Sequence, residues 1–419
     1  MPSPQFATGP DQIVVELTEQ AANAPATFHR ARPTVPVGAT QPFSGFMLTS
    51  ARGLVFSPMF RVGGTLANFA HTTAPHRFAS PSGPPTTGEL KIMSRFLVAN
   101  VPSGFGRDQI KELVKNLNDD SYVSLAYYSP APVPALWESP AVEESPATTP
   151  NYVPLQGYLG PAAGGVDALY SWAQPGGNGK DITICDVEGG WTLNHEDLTA
   201  AGIRLIYGTM SSDRGWINHG TAVLGEMLAV PNGQGCQGIA FAARGLVASI
   251  SPESPNSNPA DTIRAAADAL EAGDVLLIEL HRPGPSSTNS SGQFGFLPME
   301  FWRAEYLAIQ YAISVRQVVV VEAAGNGSQD LDDSLYDPSS GKEPQRRNSG
   351  AIMVGAGAPP NGLFGPDLSR LDFSNYGDRL DCQGWGRSVV TLGYGDLRNG
   401  VPSINIPRSL AAPQAHHRL

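Results

Sequence analysis

Beyond Gly157 the sequence alternates short apolar runs with longer segments of helical period, and that alternation limits the chain's architecture more than any other feature. The runs 181–187, 274–280, 317–322 and 351–356 read as strands. Between them, 219–228, 259–272 and 301–315 carry apolar residues at three- and four-residue steps and read as helices. Strands separated by helices of this length build βαβ units, because parallel neighbours need a crossover that covers a face of the sheet. An α/β fold is therefore expected over 157–403, with a mostly parallel sheet and helices on both faces.

The preceding sequence is organised differently. Segment 95–101 reads as a strand, 107–117 as a helix with Ile110, Leu113, Val114 and Leu117 on one face, and 121–128 as a second strand. These make a small α+β strand-helix-strand unit over 90–129. Residues 130–156, dense in Pro, Ala, Ser, Thr and Glu, read as a linker. Apart from a short amphipathic piece at 13–19, residues 1–89 show no sustained period and are expected to be irregular.

Composition removes several functions. The chain of 419 residues has 27 Lys+Arg against 38 Asp+Glu, a net charge of −11, and no basic block, so the cationic footprint of a nucleic-acid binder is missing. No apolar run reaches the roughly 18 residues of a membrane span, and 1–10 lacks the basic start and apolar stretch of a signal peptide, leaving the compartment unassigned. Cys185, Cys236 and Cys382 lie far apart, which disfavours a disulfide framework or zinc site. A monomer is expected.

In open parallel sheets, chemistry collects at the carboxyl ends of strands. Three ends carry it here: Asp186, followed by Val187-Glu188-Gly189-Gly190 and His195-Glu196-Asp197-Leu198; the block His219-Gly220-Thr221-Ala222-Val223-Leu224-Gly225 at a helix start; and Glu322-Ala323-Ala324-Gly325-Asn326-Gly327. Singly, these are a turn cap, a helix-start residue and a Gly-Asn-Gly corner. As an ordered set they resemble three of the four signatures of the subtilisin-like serine peptidases, and Phe373-Ser374-Asn375-Tyr376-Gly377 is similar to a turn of that family. The resemblance implies that Asp186 orients His219, that His219 acts as general base, and that Asn326 donates its side-chain amide to the tetrahedral oxyanion. It also implies that Leu280, Ala323, Ala324 and Gly325 line the groove for an extended polypeptide, although Glu279-Leu280-His281 departs from the family's Ser-Leu-Gly. The 90–129 unit would be a propeptide. No cofactor is implied. Asp330, Asp332 and Asp333 raise calcium, but they lack the Gly and closing Glu of a known loop and read better as a solvated acidic turn.

The fourth signature, Gly-Thr-Ser-x-Ala-x-Pro with the nucleophilic serine, is absent from the 419 residues, and neither Ser388 nor Ser409 has a matching context. Codon degeneracy lets 411–419, read one frame over, spell Gly-Thr-Ser-Ser-Ala-Ser-Pro-Ile. An out-of-frame tail over 404–419 is therefore expected, and with it a chain inactive as written. Two other classes compete: a pseudopeptidase that binds peptide without turnover, and a nucleotide-binding α/β protein resting on Gly176-Gly177-Asn178-Gly179-Lys180 and Gly355-Ala356-Gly357. The latter is weak because Asp181 stands where a phosphate loop needs Ser or Thr.

Overall fold

The computed structural model describes residues 9–22, 54, 56–60, 88–101, 104–134, 149–287, 293–333 and 348–394. The expected out-of-frame tail at 404–419 lies outside them, as does much of 1–89 and of the linker. The chain divides into an N-terminal unit reaching Pro130 and a larger unit from Ala131 onward.

In the N-terminal unit, β1 (Gln12–Leu17) is followed by the short α1 (Glu19–Ala22), β2 (Ser57–Pro58), α2 (Gly88–Met93), β3 (Phe96–Asn100), α3 (Arg107–Asn118) and β4 (Val123–Ser129). The sheet order is β2-β3-β1-β4, with β1 antiparallel to both β3 and β4. The expected irregular region thus supplies an inner strand, and the unit does not begin at residue 90. Gln12 and Glu16 obscure β1 in the sequence because they interrupt its apolar run. Both are buried and paired: Gln12 Nε2 donates to Asn100 Oδ1 at 3.3 Å, and the Glu16 carboxylate accepts from Arg95 Nη2 at 2.8 Å. Ile13, Val15 and Leu17 then pack with Leu113 and Leu117 of α3.

The larger unit runs through β5 (Val133–Pro134), α4 (Ala168–Trp172), β6 (Thr183–Glu188), β7 (Arg204–Tyr207), α5 (Arg214–Leu228), β8 (Arg244–Ser249), α6 (Pro259–Asp268) and β9 (Val275–Ile278). It continues through β10 (Leu280–Pro283), β11 (Phe296–Pro298), α7 (Arg303–Ser314), β12 (Val319–Ala323), β13 (Ile352–Gly357) and β14 (Cys382–Trp385). Seven strands form one parallel sheet in the order β14-β13-β12-β9-β6-β8-β7. The inner strands β6, β8 and β9 are buried almost throughout, as expected where both faces are covered. Helix α5 packs on β6, while α6 lies on β6, β7 and β8 and against α7. The α/β expectation holds.

Sheet order also locates a crevice. From β6 the chain builds β7 and β8 on one side, then crosses to build β9, β12, β13 and β14 on the other. Connections leave such a switch point in opposite directions and open a gap beyond the strand ends. Here the gap lies at the carboxyl end of β6.

Candidate active site

Helix α5 brings the imidazole to that gap. Asp213 caps the helix, its Oδ1 accepting from Gly215 N at 2.8 Å, and His219 sits one turn further in. The helix was expected to start at His219; it starts at Arg214, because the Asp213 cap outweighs the helix-disfavouring Gly215. Gly220 permits the close approach, since a Cβ there would stand 2.4 Å from the Gly190 carbonyl oxygen. Thr221 Oγ1 accepts from Thr192 N at 2.8 Å and fastens the helix to the loop after β6.

The carboxylate that meets His219 is Glu188, not Asp186. Nδ1 of His219 stands 2.6 Å from Oε1 of Glu188, and both side chains are fully buried. Asp186 Oδ2 instead accepts from Trp191 Nε1 at 2.7 Å. Side chains alternate along a strand, so both carboxyls share the face on which α5 packs. Asp186 lies one pleat, about 6.6 Å, further from the strand's end. Strand β6 continues past the expected end at Val187 and closes at Glu188, before Gly189-Gly190. The Gly-Gly pair was the sequence signal, because strand ends, rather than any acid within a strand, carry the chemistry.

Oε1 of Glu188 stands at ion-pairing distance from Nδ1, so a neutral ring protonated on that nitrogen leaves Nε2 as its basic nitrogen. Asp186 is shifted by its surroundings. Burial raises its pKa well above the usual carboxylate value, the Glu188 charge adds to that, and the Trp191 hydrogen bond opposes both. The neutral acid is thus favoured at Asp186.

Two strands along the same rim lies the second cluster. Strand β12 ends at Ala323, and Gly325 has a left-handed φ of 89°, where a Cβ would meet Asn375 Nδ2 at 3.1 Å. The predicted turn residue Asn375 clamps this corner. Its Nδ2 donates to the Ala324 carbonyl at 2.6 Å and the Phe296 carbonyl at 2.8 Å, and its Oδ1 accepts from Gln329 N at 2.8 Å. Asn326 N donates to His281 Nδ1 at 3.2 Å, and Asn326 Nδ2 donates to Gln293 Oε1 at 2.9 Å. Leu280 is fully buried in β10. That strand accepts β5 as an antiparallel neighbour, with Leu280 opposite Pro134 and His281 opposite Val133. The expected linker thus begins as a strand beside β10. Sequence reasoning gave no role to Gln293 or Glu188, whose side chains meet Asn326 and His219.

The acidic turn has its own explanation. Asp330 Oδ1 accepts from Asp332 N at 3.0 Å, and Asp332 Oδ2 from Asp378 N at 2.6 Å, so both carboxylates hold backbone.

The segment after β14 returns to the histidine helix. Thr391 Oγ1 donates to the Ala222 carbonyl at 2.6 Å, and a Cβ on Gly393 would stand 2.3 Å from the Asn218 carbonyl oxygen. Replacing Thr391 by Val keeps the shape and removes one buried hydrogen bond. The expected loss is about 1 kcal/mol, a fall in the thermal midpoint of roughly 2–4 °C. An unchanged midpoint by calorimetry would contradict the role given to this contact.

The parallel sheet thus carries a buried carboxylate–imidazole pair at the carboxyl end of β6. The model of the subtilase family of peptidases matches residues 179–395, more than half of the chain, and the protein belongs to that family. Among solved structures it is similar to the psychrophilic subtilisin-like protease Apa1 from Pseudoalteromonas sp. AS-11, at 20% identity and TM-score 0.37, over 54% of this chain and 47% of that one. A protease from Pseudoalteromonas arctica matches at 20% identity and TM-score 0.43, over 64% of this chain and 82% of that one. The MycP3 protease of the type VII (ESX-3) secretion system matches at 19% identity and TM-score 0.41, over 68% and 79%. The chain spans about half the length of Apa1. Comparison with curated proteins finds no match.

Proposed function

We propose that the larger unit carries the chemistry of a serine endopeptidase that takes polypeptide in extended form. His219 is the general base, Glu188 replaces Asp186 as the carboxylate that fixes its tautomer, and Asn326 supplies the oxyanion donor. One observation carries this reading: the 2.6 Å contact between fully buried His219 and Glu188 at the switch point. In the reaction, serine Oγ would attack the peptide carbonyl carbon and give its proton to His219 Nε2. The imidazolium would then protonate the leaving amine, and water would release the acyl group by the same route. The edge strand β10, already paired with β5, supports backbone recognition of an extended segment. The N-terminal unit, whose chain leads directly into β5, is proposed as a propeptide.

The 419 residues contain no Gly-Thr-Ser-x-Ala-x-Pro motif. A fluorophosphonate probe is expected to leave this chain unlabelled. Restoring the alternative frame after about residue 400 is expected to give labelling that His219→Ala abolishes. Labelling of the 419-residue chain, or none once the motif is restored, overturns the reading. A second reading is a peptide-binding module, whose signature is affinity for extended peptide without turnover.

A further inference from the structure

Gln293 stands between the groove edge and Asn326. Its Oε1 accepts from Asn326 Nδ2 at 2.9 Å, while its Nε2 donates to the Pro134 carbonyl at 3.1 Å. A carbonyl only accepts, so Pro134 fixes which end of the Gln293 amide faces it. The oxygen is thereby turned toward Asn326, whose own amide must present nitrogen. Asn326 Oδ1 is buried and has no hydrogen-bond partner among the described residues, so the bond to Gln293 alone orients that carboxamide. Gln293 is buried and has a φ of 58°, a left-handed conformation unfavourable for a non-glycine residue and tolerated where surrounding contacts impose it.

We propose that Gln293 is a positioning residue, which reads the main-chain carbonyl of the segment lying opposite Leu280 and sets the orientation of the Asn326 amide accordingly. The ligand class is extended polypeptide backbone. Because the contact is to a carbonyl, the reading is independent of the occupant's side chain at that point. In the structure Pro134 of β5 is the occupant. Gln293 therefore couples occupancy of the β10 edge to the oxyanion donor. This rests on the groove assignment under the proposed function.

The test uses the full chain with ¹⁵N in its Asn and Gln side chains and backbone amides, the Asn326 signal being assigned by its loss in Asn326→Asp. Gln293→Leu removes both bonds. Gln293→Glu keeps an acceptor for Asn326 and removes the donor to Pro134. In the Leu variant, hydrogen exchange of the Asn326 carboxamide and at the Val133–His281 pair is expected to rise about tenfold. In the Glu variant only the Val133–His281 pair is expected to accelerate, with Asn326 still protected. That split is one a merely space-filling residue does not produce. Unchanged Asn326 exchange in the Leu variant overturns the proposal, as does an unchanged Val133–His281 pair in both. The amides of Val275–Ile278 report whether the sheet stays intact; if the Leu variant unfolds, Gln293→Asn, too short to span both partners, takes its place with the same expectation. None of these readouts involves turnover, so the fluorophosphonate result can fail while this coupling stands, and the reverse.

Discussion

Glu188→Gln is expected to lower the unfolding free energy of the larger unit by about 1.5–3 kcal/mol, the range for a polar contact to a charged group, and its thermal midpoint by roughly 3–12 °C. The same variant is expected to lose the downfield imidazole proton resonance expected of an Nδ1–H that faces a carboxylate oxygen at 2.6 Å. Asp186→Asn should retain that resonance. Its stability effect has the opposite sign and depends on pH. Because the folded-state pKa of Asp186 is raised, its contribution is full below about pH 4 and is lost as pH rises through the folded value. Removing the ionisable group removes that slope. Asp186→Asn should therefore match the parent near pH 4 and exceed it in midpoint at pH 7.5. If Asp186→Asn erases the resonance and Glu188→Gln leaves it, the assignment of the histidine's partner is wrong.

A larger loss is expected at Arg379. Its guanidinium grips Glu300 at both carboxylate oxygens, Nε to Oε1 at 2.5 Å and Nη2 to Oε2 at 2.8 Å, and also donates to the Ala351 carbonyl at 3.0 Å. Glu322, fully buried in β12, accepts from the Glu300 backbone N–H at 2.8 Å. Burial, and then the Glu300 charge, raises the Glu322 pKa well above normal, with Arg379 opposing them. Arg379→Met strands the Glu300 charge in the interior, a change that costs about 3–5 kcal/mol and lowers the midpoint by roughly 10–15 °C. Thermal scans of the two proteins check this, and an unchanged midpoint would contradict the role given to the Arg379–Glu300 pair.

The long periodic elements were the readable part of this chain. Strands β9, β12 and β13 and helices α6 and α7 lie near their expected places, because apolar periodicity and burial coincide there. Strand β8 escaped, since Arg244-Gly245 opens it and Ala248-Ser249 closes it without bulk, although its neighbours bury it. His219 and Asn326 announce themselves by local pattern. Their partners do not. Glu188 had to be separated from Asp186 by knowing where the strand stops, and Gln293 meets Asn326 only after β10 and β11 have folded the intervening chain back. Such contacts are properties of the assembled sheet and have no local signature.

The inner place of β1 governs how the N-terminal unit assembles during synthesis. Gln12 and Asn100, bonded side chain to side chain, are 88 residues apart, and β4 on the other side of β1 ends only at Ser129. Each pairing of β1 therefore waits for a distant partner and carries the entropy of closing a long loop. Until then its apolar Ile13, Val14 and Val15 stay unshielded on an unpaired edge. Strand β1 is thus the piece that joins what the rest of the sequence keeps apart.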